Sequence, residues 1–235
     1  MIKDALRGSL NPKLLWRVFK YKAAFRCEHP DFFDPCGTLI FCGAQGYGKT
    51  LSAVSYVSKI ANMYPKSILV TNVSIDPSMF PTGYDVREYT GLDDLKNIEN
   101  GEKGVIYFID ELHLELNSLE SKNIDVEIMV EISQQRKQRK HIVGTSQIYG
   151  RMAKPLREQI RDVVLCKCYF NCIQVNKWID AFESTEKDGK LQACVKKMFI
   201  WFHDPALYSA YDTYQKMKRY KQEWQGRKRV TNNGE

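Results

Sequence analysis

Residues 43–50 read Gly-Ala-Gln-Gly-Tyr-Gly-Lys-Thr, which fits the pattern G-x-x-x-x-G-K-[S/T]. Residues of these types at this spacing suit one kind of chemistry. Gly43, Gly46 and Gly48 let successive backbone N–H groups turn inward around an anion. A helix starting there adds the positive end of its dipole. Lys49 can reach the outer phosphates of a nucleoside triphosphate, and the Thr50 hydroxyl can bind Mg²⁺. Ala44, Gln45 and Tyr47 supply the remaining backbone of the cradle. The loop implies that a phosphate chain is held, and leaves open what is done with it.

Two further stretches bear on that question. The apolar run 105–109 ends in Asp110, and Glu111 follows at once. An acid at the carboxyl end of a buried parallel strand lies at the edge where such sheets bind ligands. Asp110 is therefore a candidate to hold Mg²⁺, directly or through water, and Glu111 to orient and polarise an attacking water. The adjacent second acid points to hydrolysis over a GTPase switch or a small-molecule kinase. The third stretch, 141–147, ends in the polar run Thr145-Ser146-Gln147. Gln147 is placed there to touch the terminal phosphate or the water.

Chemistry of this kind needs strands that end at one edge. Residues 37–43 form a short apolar run leading into the glycine loop, and 49–64 follow with helical periodicity. Strand, loop, helix is the context the motif requires. Further buried strands are expected at 67–74, 104–111 and 141–147, with a helix over 126–139. Apolar strands alternating with helices imply an α/β fold, its mainly parallel sheet covered on both faces. After Arg161 the pattern changes to period two, with a hairpin about Asn171 and a further strand within 196–205. Asn11-Pro12 is a good helix start. The expected layout is a basic appendage over 1–35, a nucleotide-hydrolysing domain over 36–205, and a basic C-terminal helix and tail over 206–235.

Composition narrows the class. The chain has 235 residues, 43% hydrophobic and 27% charged, which suits a globular domain with a substantial core. Net charge is +7, which permits a polyanionic partner. No apolar run approaches the roughly 20 residues of a membrane span, and the first residues lack the apolar segment of a secretion signal. The seven cysteines are odd in number and irregular in spacing. Reduced thiols are expected, with Cys166, Cys168 and Cys172 as small core residues and no zinc site.

Together, the glycine loop, Asp110-Glu111 and the segment from Arg136 to Gln147 resemble the FtsK–HerA superfamily of DNA-pumping ATPases. The likeness covers about residues 37–165 and is nearest the phage and viral branch. That branch includes zonular-occludens-toxin-like proteins and the genome-packaging ATPases of tailless icosahedral viruses. The resemblance implies a RecA-like P-loop NTPase core and Mg²⁺-dependent ATP hydrolysis. It also implies that the strand before Gln147 lies between the loop strand and the Asp-Glu strand. Arg136, eleven residues before Gln147, falls where the family carries an arginine finger that reaches a neighbour's γ-phosphate. Arg139, Arg157 and Arg161 are its rivals. A finger in trans implies a head-to-tail ring, commonly a hexamer.

The DNA partner implied by the resemblance has candidate contacts at 136–140 and in the tail. Over 216–229 the tail holds seven Lys and Arg against Glu223 alone, among Tyr214, Tyr220 and Trp224. Such a stretch suits salt-dependent, sequence-independent binding. Zonular-occludens-toxin-like proteins usually carry a membrane segment beyond this core, and none is visible here. The expectation is therefore packaging of a viral or phage genome, with a capsid or membrane-portal protein as partner. The host cytoplasm is the expected location, at the virion or the membrane periphery through that partner. Filamentous-phage extrusion, mobile-element transfer and a nucleotide-gated scaffold are the alternatives.

Overall fold

The computed structural model describes residues 11–115, 126–147, 157–187 and 190–211. They fall into two compact units, one ending at Phe32 and the other beginning at Phe33. In the first, helix α1 (Pro12–Glu28) is capped by Asn11, whose side chain accepts from the Lys13 N–H at 2.9 Å. Pro12 at the first turn has no N–H to leave unpaired. In the last turn of α1, Phe25 stacks on His29 and meets Phe32 edge-on.

The second unit is built on one sheet. Its strands are β1 (Gly37–Cys42), β2 (Ile68–Thr71), β3 (Asp85–Glu88), β4 (Val105–Ile109), β5 (Lys140–Ser146), β6 (Ile160–Tyr169), β7 (Ile173–Lys187) and β8 (Lys190–Phe202). They lie in the order β3-β2-β4-β5-β1-β6-β7-β8. From β3 through β6 every neighbouring pair is parallel. The pairs β6–β7 and β7–β8 are antiparallel. β5 thus separates the loop strand β1 from the Asp-Glu strand β4, as the resemblance implies.

Parallel strands sit beneath helices on both faces, so their side chains are apolar without alternation. All five residues of β4 are buried. Odd and even positions go to different layers. Leu39, Phe41, Ile106, Phe108 and Val143 pack with Leu51, Val54 and Val57 of α2 (Lys49–Met63). Ile40, Tyr107, Ile109 and Ile142 pack on the other side with Leu95 of α3 (Asp94–Asn97), Leu112 of α4 (Leu112–Glu115) and Ile132 of α5 (Val126–Gln138). A one-residue slip of β1 would exchange these layers, so its register is fixed by burial on both sides. Leu207 of a last short helix, α6 (Pro205–Ser209), joins the α2 layer.

The hairpin turns where expected: Phe170 and Asn171 both take left-handed backbone, a conformation Asn tolerates better than most residues. Several details differ from the sequence reading. The strand expected over 67–74 keeps only four residues: Thr71 Oγ1 accepts the Val73 N–H in a local turn, and Asn72 reaches the Asp110 backbone beyond β4. β3 is short, charged and exposed throughout, and carries no apolar signal. The basic tail over 216–229, where DNA contacts are expected, lies outside the described residues. Among the described residues no helix is long and apolar enough to cross a membrane.

Candidate nucleotide site

β1, β4 and β5 are parallel, so their carboxyl ends share one edge of the sheet. The glycine loop leaves β1 at Gly43 and becomes α2 at Lys49. Gly48, at φ 71°, caps that helix in the left-handed region. A Cβ there would also overlap the Gln174 side chain, so glycine is required twice over. Lys49 is largely buried and curls across the loop, its Nζ donating to the Ala44 carbonyl at 3.1 Å.

Beneath the loop, hydroxyls from α2 and β5 meet on one carboxylate at the end of β4. Thr50 Oγ1 donates to Asp110 Oδ1 at 2.9 Å. Thr145 Oγ1, from β5, donates to the same oxygen at 2.6 Å. Asn72, just past β2, holds the Asp110 backbone from the other side. Its Oδ1 accepts from the Asp110 N–H at 2.9 Å, and its Nδ2 donates to the Asp110 carbonyl at 3.2 Å. Thr50 and Asp110 are hard oxygen donors beside a phosphate cradle, the set that Mg²⁺ takes together with phosphate oxygens and water. The residues present therefore fit that ion.

Glu111 follows in left-handed backbone, φ 57°. A non-glycine residue there costs on the order of 1 kcal/mol and persists only when its surroundings hold it. The holder is Thr145, whose Oγ1 accepts the Glu111 N–H at 2.8 Å. Thr145 thus fixes both acids through one hydroxyl. The Glu111 carboxylate is partly exposed and lies 3.3 Å from His113 Nδ1.

The other predicted residues divide. Gln147 is exposed, one step beyond Ser146, which pairs with Cys42. It stands beside the start of the loop. Arg136 is exposed near the end of α5, and its neighbour Gln135 donates to Thr38 Oγ1 at 2.8 Å, at the start of β1. β1 has six residues, about 20 Å of strand. Arg136 is therefore at the opposite edge of the sheet from the loop, and one chain does not bring the two together. Its rivals are no nearer: Arg139 precedes β5, and Arg157 and Arg161 flank the start of β6.

Thr145, Asn72, Gln174 and Asn176 were not among the predicted site residues. Thr145 and Asn72 had a legible signal, being polar residues closing apolar strands at the ligand edge. Burial pushes the Cys42 and Cys166 thiols up to about 12, so both stay protonated in the core. Cys168 is only partly buried and Cys172 is exposed in the hairpin turn, which corrects the expectation that all three thiols of 166–172 are core residues.

No protein-family model and no curated protein sequence matches the chain. Among solved structures, the N-terminal domain of zonular occludens toxin from Neisseria meningitidis superposes with a TM-score of 0.50 at 16% identity. The match covers 76% of this chain and 100% of that one. The genome packaging NTPase B204 of Sulfolobus turreted icosahedral virus 2, in complex with AMPPCP, gives 0.49 at 10% identity, over 72% of this chain and 98% of that one. At these identities likeness speaks to fold alone. The chain has an α/β P-loop NTPase core with the overall fold of the zonular occludens toxin N-terminal domain.

Proposed function

We propose that this chain is an ATP-hydrolysing DNA translocase of the FtsK–HerA type that packages a viral or phage genome. The observation that carries the reading is the convergence of Thr50, Asp110, Thr145 and Glu111 under the glycine loop. A loop that only bound nucleotide would not need a second acid held in left-handed backbone beside the first. In this reading the N–H groups of Gly43–Thr50 and Lys49 Nζ bind the phosphates. Thr50 and Asp110 hold Mg²⁺, which when bound screens charge on the phosphate oxygens. Glu111 takes the proton of the attacking water, and Gln147 orients that water or contacts the terminal phosphate. Arg136 acts on the loop of a neighbouring subunit in a ring. DNA is met by basic side chains other than Arg136, chiefly those of the tail over 216–229, together with the exposed Lys137 of the 136–140 cluster. The layout of appendage, hydrolase domain and basic tail belongs to the same proposal.

A second reading, filamentous-phage extrusion, is favoured by the likeness to the zonular occludens toxin domain, whose whole length is covered. The chemistry at the loop is the same in both. The test is ATP hydrolysis by the purified chain with and without duplex DNA, at low and moderate salt. Stimulation by DNA that fades as salt rises is expected. Hydrolysis indifferent to DNA would remove the translocase and leave an ATPase that serves a protein partner.

A further inference from the structure

A line of polar contacts runs from the antiparallel arm of the sheet into the loop, and the glycine-loop motif does not account for it. Gln174 lies on β7, fully buried. Its Nε2 donates to the Tyr47 carbonyl in the loop at 3.1 Å and to Asn176 Oδ1 at 2.9 Å, which uses both amide hydrogens. Asn176 in turn donates to Ser52 Oγ, in the first turn of α2, at 3.2 Å. With its nitrogen fully engaged, Gln174 presents Oε1 as an acceptor, and His203 Nε2 lies 3.1 Å from it. His203 Nδ1 is 2.8 Å from the Tyr208 hydroxyl, which donates to the Asn171 carbonyl in the hairpin turn at 2.9 Å.

The Tyr47 carbonyl can only accept, so the carboxamide nitrogen must face it and one orientation is left. Its donor end is aimed at a carbonyl in the middle of the cradle. A cradle works only if its N–H groups face the anion and its carbonyls face away. Tyr47 is where an outward carbonyl finds a buried donor, and the adjacent Gly48 leaves room for the Gln174 carboxamide, whose Oε1 a Cβ would overlap.

We propose that Gln174 is a positioning residue for the phosphate-binding loop, pinning the Tyr47 carbonyl to the β7–β8 arm so that the neighbouring N–H groups point at the phosphates. The proposal rests on reading the loop as an ATP site. It also makes the arm a mechanical input: a partner that shifts β7 against β1 shifts the loop.

The test uses the full chain with Gln174→Met, which keeps the volume, and Gln174→Glu, which keeps the shape and, while ionised, cannot donate. Thr38→Val is the control, since it removes a buried hydrogen bond at the far end of β1. Two quantities are read: hydrogen–deuterium exchange of the 43–50 amides without nucleotide, and affinity for a fluorescent ATP analogue. Both Gln174 variants should exchange the loop amides faster and bind the analogue about tenfold more weakly, the effect of one lost buried hydrogen bond. Thr38→Val should lower Tm and change neither. Unchanged loop exchange in Gln174→Met overturns the proposal, as does a loosened loop with unaltered affinity. If the wild type binds no analogue, the ATP reading fails, while the exchange data still decide whether Gln174 holds the loop.

Discussion

At the scale of single residues, the site depends on how few hydroxyls and amides hold two acids. Asp110 is fixed by Thr50 and Thr145 through its side chain and by Asn72 through its backbone. Replacing Thr145 with Val would strip one bond from Asp110 and leave the Glu111 N–H unpartnered in a partly buried place. A loss of about 1–3 kcal/mol follows from the unsatisfied donor. Turnover should fall further than nucleotide affinity, because the displaced group is the proposed base; urea unfolding and steady-state kinetics would separate the two effects. Lys49→Ala should abolish binding of a fluorescent ATP analogue while leaving Tm within a few degrees, since its bond to Ala44 lies within the loop. That Lys49, Thr50, Asp110 and Glu111 gather at one edge of the sheet was legible from residue type and spacing, because phosphate chemistry constrains both tightly. Thr145 and Asn72 were harder, because a polar residue closing a strand has many uses, and only the fold shows which carboxylate it meets.

At the scale of elements, apolar runs revealed the buried parallel strands, since burial on both faces leaves one composition open to them. β3 escaped because an exposed edge strand bears no such constraint. The division of labour along β7 was hidden for another reason. Gln174 and Asn176 interrupt an apolar strand with period two, and nothing local says that they face the loop of another strand. Close packing between elements gives a direct check. Gly144 of β5 sits against Leu112, and a Cβ there would come within 2.7 Å of that side chain. Gly144→Ala should destabilise the fold by about 1–3 kcal/mol, read as a lowered denaturation midpoint. A second check comes from pH. Burial lowers the His141 imidazole to about 4, with Nδ1 on the Gly37 carbonyl and Nε2 on the Tyr56 hydroxyl. The unfolded chain takes up this proton near pH 6.5, and the folded one resists until about 4. Stability should therefore fall as pH drops from about 6.5 toward 4, by about 3 kcal/mol from this residue. Unfolding midpoints of wild type and His141→Gln across that window should show a flatter slope for the variant.

At the scale of the whole molecule, the finger candidate and the loop lie at opposite edges of one sheet. A subunit that kept both for itself could not join them, so the finger role proposed for Arg136 would need a neighbour. Arg136→Ala should lower turnover by about 10³-fold or more if it is the finger, with ATP affinity retained. Mixing it with Lys49→Ala chains should restore part of the activity, because each supplies what the other lacks. No recovery on mixing would leave Arg136 a surface cation. All of this depends on hydrolysis at the loop with Glu111 as base. The most direct measurement is ATP binding and ATP turnover by Glu111→Gln beside the wild type. Binding should be unchanged and turnover reduced by about 10²–10⁴-fold. Turnover that survives the substitution would contradict that role for Glu111 and move the base elsewhere.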